Sequence, residues 1–236
     1  MTTFDTYPVP PEDLRWRVVG NRNAEAFLRS SVNIATFFDT LLAQAGTSMA
    51  AVDSILDFGC GCGRILRALP AMTKARLTGC DIDAEAVSWC QEHLPFARCY
   101  HTGEYPPLPF EDNAFDFIYG LSVLTHLDEK HQFRWLEELK RLARPGAALI
   151  LTFKGAFHLD RLKKPTIRNR VEHGLDTAGF YFKKTKFWKG IFPSYYHDAY
   201  HTADYVHKNW APYFEILHID VPPGATGQYS VLMRAY

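Results

Sequence analysis

Seven residues, Asp57-Phe58-Gly59-Cys60-Gly61-Cys62-Gly63, place three glycines at alternate positions behind an acid. Residues without a Cβ let the chain turn sharply and let a ligand lie against its backbone. The apolar run at 54–58 (SILDF) reads as a strand. The loop therefore falls at a strand's carboxyl end, where open parallel sheets bind ligands. Asp81 closes a second strand-like run, twenty-two positions after Gly59. At that spacing an acid accepts hydrogen bonds from both hydroxyls of a ribose, and Ile82 beside it suits an adenine face. The dinucleotide fingerprint needs a third glycine where Arg64 stands, and the G-x-x-x-x-G-K-[ST] phosphate loop is absent. The alternative is a loop whose acids merely cap helices, and Asp83 is expected to cap a helix over 84–93.

Other residues offer further chemistry. His126 follows the fourth predicted strand and is the best-placed general base, since an imidazole titrates near neutrality; capping or packing of the next helix is its other reading. His197-Asp198-Ala199-Tyr200-His201 has the look of a zinc string. Pro193 and Ser194 before it and Thr202 after it leave little room for the helix such sites use, and no third ligand is evident. Cys60 and Cys62 lack a second pair at finger-like spacing, so no metal is expected. Between Lys154 and Lys189 ten Lys or Arg face three acids, interleaved with Phe157, Tyr181, Phe182, Phe187 and Trp188. Cations and rings suit an anionic or aromatic small molecule. A solvated basic face and a single-stranded RNA groove are the competing readings. Tyr195, Tyr196, His197 and His201 are candidate acceptor-pocket residues, with packing as the alternative for each.

These residues need a frame. The chain has 236 residues, of which 47% are hydrophobic and 22% charged, which suits one large α/β domain. An amphipathic helix is predicted over 23–45, with Gly46 as its stop. Strands at 54–58, 76–80, 96–101, 115–119 and 147–153 alternate with helices beginning at Arg64 and spanning 84–93 and 129–143. That rhythm argues for a parallel sheet covered on both faces. Residues 155–206 break it as an irregular segment, except that Thr202 caps a short helix to Trp210. Strands at 214–221 and 229–235 then form a closing hairpin at the sheet's edge. The expected organisation is a helical cap (1–50), a cofactor-binding core (51–154), an acceptor lid (155–206) and closing strands (207–236). Formal net charge is zero, so neither nucleic acid nor membrane is an expected partner. The N-terminus lacks a signal pattern and the five cysteines are an odd number, so a cytoplasmic protein with reduced thiols is expected.

The D-x-G-x-G-x-G pattern resembles motif I of the class I (Rossmann-like) S-adenosylmethionine-dependent methyltransferases. Residues 107–127 (PLPFEDNAFDFIYGLSVLTHL) and 139–153 (LKRLARPGAALILTF) resemble the family's third-to-fourth and fifth-strand passages, with Ala147 replacing a usual glycine. The resemblance implies a doubly wound, mostly parallel seven-stranded sheet whose last strand is antiparallel. It implies S-adenosyl-L-methionine as cofactor, with Asp57 near its ammonium group and no pyrophosphate to cradle. The cofactor residues it implies are Asp57, Gly59, Cys60, Gly61, Gly63, Asp81, Ile82, Glu104, Leu121 and Ser122. The loop after the fourth strand is not the Asn/Asp-Pro-Pro-Tyr tetrad of relatives that methylate base or glutamine nitrogens. The expected reaction is in-line methyl transfer to a small-molecule hydroxyl or amine. RNA or protein acceptors, or a non-catalytic S-adenosylmethionine-binding role, are the alternatives. In relatives an N-terminal segment closes over the cofactor, which Trp16 and Arg17 are placed to do.

Overall fold

The structure is a computed structural model that describes residues 5–220 and 224–236. Its centre is β1 (Ser54–Phe58), whose five residues are all buried. Parallel strands β2 (Arg76–Asp81), β3 (Ala97–His101), β4 (Phe115–Gly120) and β5 (Ala143–Phe153) extend the sheet on both sides. After them come β6 (Phe180–Lys183), β7 (Asp198–His201), β8 (Phe214–Asp220) and β9 (Tyr229–Ala235). The main sheet has the order β3-β2-β1-β4-β5-β9-β8, with β9 antiparallel to β5 and β8 antiparallel to β9. This is the expected seven-stranded Rossmann-like sheet with β9, the last strand, antiparallel. Val221, expected to end β8, lies outside the described residues.

Both faces are covered, as the side-chain alternation requires. Phe117 and Tyr119 of β4 join a core cluster with Phe27, Ile34 and Phe38 of α2 (Ala24–Gln44). Ile118 between them joins the opposite cluster with Trp135, Leu136 and Leu139 of α4 (Glu129–Leu142). Caps set the helix starts: Asn23 Oδ1 accepts from Ala26 N at 2.8 Å, Asp128 Oδ1 from His131 N at 3.0 Å. Asp83 Oδ1 accepts from Ala86 N at 3.2 Å to open α3 (Ala84–His93).

Two expectations change, and one further helix is found. The helix expected from Arg64 is a set of turns leading to a 3₁₀ stretch at Leu66–Ala71, because Pro70 carries no N–H and blocks a full α-turn. Ahead of α2 stands α1 (Glu12–Val19), ended by Gly20 in the left-handed region. Residues 155–206, expected as a lid, are not irregular. They hold α5 (Pro165–Ala178), started by Pro165 and stopped by Gly179, and the antiparallel pair β6–β7. Helix α6 (Ala203–Trp210) follows with Thr202 Oγ1 accepting from Tyr205 N, as expected.

Buried Arg67 ties down the N-terminal segment. Its guanidinium donates to both carboxylate oxygens of Asp5 (2.8 and 2.6 Å) and to the carbonyls of Tyr7 and Pro8. Arg17 of α1 reaches Asp83 Oδ2 at 2.9 Å and Glu85 Oε2 at 2.8 Å, fixing α1 beside the glycine loop. Among the described residues no helix is long and apolar enough to cross a membrane.

Candidate active site

A cavity of about 750 Å³ opens at the carboxyl ends of β1, β2, β4 and β5. One end is walled by Asp57, Gly59, Cys60, Gly61, Arg64, Asp81 and Ile82, with Glu104 nearby and Arg17 to Gly20 of the N-terminal cap over it. The other end is walled by Lys154, Lys183, Trp188, Tyr195, Tyr196 and Asp198. Leu121, Ser122 and His126 stand between.

Gly59 (φ 83°) and Gly61 (φ 51°) turn through the left-handed region, and a Cβ would fall 2.2 Å from Val123 Cγ2 or 2.5 Å from Val18 Cγ2. The post-β4 loop and α1 therefore press directly onto the glycine loop. Gly63 has a different reason. Its Cβ would strike Leu94 Cδ1 at 2.3 Å, and it does not line the cavity, so it serves packing rather than a ligand.

Asp81 Oδ2 accepts from Gly61 N at 2.7 Å and Oδ1 from Asp83 N at 2.8 Å. Burial pushes its carboxyl up to about 6, against the pull of those N–H groups. Each oxygen keeps a lone pair free, enough for two ribose hydroxyls. Asp57 is raised well above the usual carboxylate range by burial, and its Oδ2 lacks a hydrogen-bond partner among the described residues. Arg64 Nε is likewise without a partner. A buried carboxyl, which an incoming cation would ionise, and a guanidinium, both with spare bonding capacity in one cavity, match the ammonium and carboxylate of an α-amino acid. The residues therefore fit S-adenosylmethionine: Asp57 and Arg64 would hold its amino-acid portion, Asp81 its ribose and Ile82 its base.

Glu104 is exposed and shares its Oε1 with His131 Nε2 at 2.9 Å. His126 is 5% exposed, with Nδ1 donating to the His197 carbonyl at 2.7 Å and its ring stacked on Tyr196 (4.2 Å between centroids). Burial first, then the Lys154 charge, pushes its pKa down to about 3, so the imidazole is neutral with Nε2 free to accept. That Nε2 lies 3.4 Å from Ser122 Oγ. Ser122 itself sits at φ 66°, an unusual conformation for a residue with a side chain. It is held there by a closed ring. Ser122 N donates to Thr152 Oγ1 (2.8 Å), Thr152 Oγ1 to Gln228 Oε1 (2.7 Å), and Gln228 Nε2 to Ser122 Oγ (2.9 Å).

The zinc string takes in the whole of strand β7 rather than a helix, and its members disperse. Asp198 pairs with Lys154 and Lys183, while His197 Nδ1 accepts from Thr185 N. His201 is wholly buried against Gln132 Oε1 at 2.9 Å and does not line the cavity, nor does His197. Contrary to expectation, both histidines pack within the fold instead of lining the cavity. Tyr195 and Tyr196 do line it. Sequence reasoning missed Arg64, Thr152, Asp198 and Gln228 as wall or support residues. Lys154 carried a signal, since it immediately follows β5.

A sheet of this order, with a glycine loop after the first strand and an acid ending the next, matches a Rossmann-like ligand site at the carboxyl ends of the strands. Residues 55–146 match the methyltransferase-domain family. Over that stretch, well under half of its length, the chain is similar to S-adenosylmethionine-dependent methyltransferases. It is 29% identical over 120 residues to a tRNA N(3)-methylcytidine methyltransferase of Drosophila melanogaster, a match covering 47% of this chain and 37% of that one. Sterol C-methyltransferases and an O-methyltransferase are also among its relatives. The matched stretch spans 25–37% of the first three curated relatives' own length. Among solved structures, a methyltransferase of Methanosarcina mazei superposes with TM-score 0.60 at 23% identity, covering 82% of this chain and 96% of that one. The Burkholderia thailandensis 1,6-didemethyltoxoflavin-N1-methyltransferase, solved with that compound and S-adenosylhomocysteine, gives 0.60 at 14% identity, covering 98% and 92%.

Proposed function

We propose that this chain methylates a hydroxyl or amine of a small, anionic or aromatic molecule, using S-adenosyl-L-methionine. The observation that carries the reading is the single cavity in which the cofactor end is continuous with a wall of Trp188, Tyr195 and Tyr196. When bound, S-adenosylmethionine supplies a methyl group activated by positive sulfur. The chain's own task is alignment and exclusion of water. Asp57, Arg64 and Asp81 orient the donor side. The Ser122 hydroxyl and the neutral His126 Nε2 accept and position the acceptor's O–H or N–H. With its pKa near 3, His126 is a weak proton sink and acts first as an orienting acceptor. The five unpaired cysteines support a reducing compartment such as the cytoplasm.

The exposed cations Lys163, Lys164, Arg170, Lys184 and Lys186, together with the tRNA-modifying relative, favour RNA as the second reading. The test is a screen of metabolite extract and of total RNA for release of S-adenosylhomocysteine. Turnover with a fraction of low molecular weight supports the proposal. Turnover with RNA alone, or S-adenosylmethionine binding with no turnover on either, sinks it.

A further inference from the structure

The geometry points to a dedicated carboxylate-binding subsite at the lid end of the cavity, formed by Lys154 and Lys183 and tuned to a single negative charge by Asp198. This inference rests on the methyltransferase reading and names the handle by which the acceptor is held. Three strands create the cluster. Lys154 is the first residue after β5, Lys183 ends β6, and Asp198 opens β7 directly opposite Lys183 in the cross-strand register. Lys154 Nζ donates to Asp198 Oδ1 at 2.8 Å, and Lys183 Nζ meets Oδ2 at 2.7 Å. All three side chains are only 15–18% exposed, and all three line the cavity.

One lysine would neutralise Asp198; there are two. An ammonium has three N–H donors, and among the described residues each of these spends one of them, on Asp198. Four donors and one uncompensated positive charge are thus left in a largely desolvated pocket, an arrangement that is costly unless an anion completes it. The charge count selects the anion. Two ammoniums and one carboxylate leave +1, which a carboxylate balances; a phosphate dianion would leave negative charge against Asp198. Arg161 at the mouth, with its guanidinium 5.8 Å from the Phe157 ring centre, adds attraction but is exposed and screened.

Next to the cluster the His126 imidazole, 3.9 Å from Asp198 by its Nδ1, separates it from Ser122. The carboxylate is therefore a handle at one end of the acceptor, and the methyl-receiving atom sits at the other. Tyr196, stacked on His126, and Trp188, edge-on to it at 5.8 Å, supply flat apolar walls between the two ends. The acceptor class is an aromatic carboxylate bearing its hydroxyl or amine away from the acid.

The test uses benzoate as probe, with benzyl alcohol, benzylamine and phenyl phosphate as comparisons, read by intrinsic tryptophan fluorescence. S-adenosylhomocysteine is titrated into the same protein by calorimetry. The expected result is benzoate binding at least tenfold tighter than each comparison, with at least a tenfold loss in Lys183→Met and unchanged S-adenosylhomocysteine affinity. Asp198→Asn raises the cluster to +2 and is expected to turn the preference toward phenyl phosphate, which a purely structural salt bridge would not do. Should Lys183→Met fail to fold, that charge switch still decides the matter. Equal affinity for benzoate and benzyl alcohol, or no change of preference in Asp198→Asn, overturns the subsite while cofactor binding stands. Absence of S-adenosylhomocysteine binding to folded protein overturns the underlying reading instead.

Discussion

Asp81→Asn probes the nucleoside end of the site at the level of single hydrogen bonds. In the fold, one carboxylate oxygen takes the Gly61 N–H and the other the Asp83 N–H. An amide has only one oxygen, so its NH₂ must face one of those donors, and one of two ribose hydroxyls loses its charged acceptor. A hydrogen bond to a charged group contributes about 1.5–3 kcal/mol and an unmet buried donor costs about 1–3 kcal/mol. Partial relaxation of the loop offsets some of this, leaving about 2–4 kcal/mol, or on the order of 30- to 1000-fold in affinity. Calorimetry with S-adenosylhomocysteine reads it directly. The pH arm is sharper. With the carboxyl raised to about 6, affinity in the native protein should be level above pH 7 and fall as Asp81 gains its proton below 6. Asn has no proton to gain, so its weaker binding should lose the part of the acid limb that Asp81 contributes and keep only what Asp57 supplies. Binding by the variant within threefold of the native protein, or the same acid limb in both, would refute the assignment of Asp81 to the ribose.

Gly61→Ala forces a methyl against Val18 Cγ2 at a left-handed position, and a loss of about 1–3 kcal/mol in urea unfolding is expected, together with weakened cofactor binding. Gln228→Ala opens the hydrogen-bonded ring that holds Ser122; kcat should drop about tenfold, the size of one such interaction, with S-adenosylhomocysteine affinity little changed. His126, His158 and His201 are buried with pKa values pushed down to about 3, 4 and 3. Folded pKa values below the unfolded 6.5 mean stability that is complete above pH 6.5 and declines as pH falls toward 4, with a slope of about 4 kcal/mol per pH unit as an upper bound. Thermal melts from pH 7.5 to 4.5 check this, and a melting temperature that does not fall would contradict the neutral-imidazole assignment.

Where local chemistry decided the structure, the sequence was a sufficient guide. The strand at Ser54–Phe58 and the helix at Ala84–His93 were readable because apolar pattern, glycine turn and cap agreed. The lid was misread for a physical reason. Helix α5 buries only Val171 and Leu175, so its apolar stripe is too thin to see among cations, although Pro165 and Gly179 mark both ends. His201 looked like a pocket residue because its role depends on Gln132, sixty-nine positions away. Gln228 carries no local signal in the sequence. Its importance comes from a contact across 106 positions to Ser122, which no local pattern encodes.

That contact also orders events in time. Strand β8 touches the main sheet only through β9, so neither can join until β9 docks on β5. Pairings spanning such sequence distances form late, after loop-closure entropy has been overcome. Gln228 directly precedes β9 and lands on Ser122 in the same docking step. A chain arrested before that step would have its parallel strands and glycine loop in place without a held Ser122. Competence to bind the nucleoside would then precede competence to turn over, and refolding followed by both readouts would show them arriving separately.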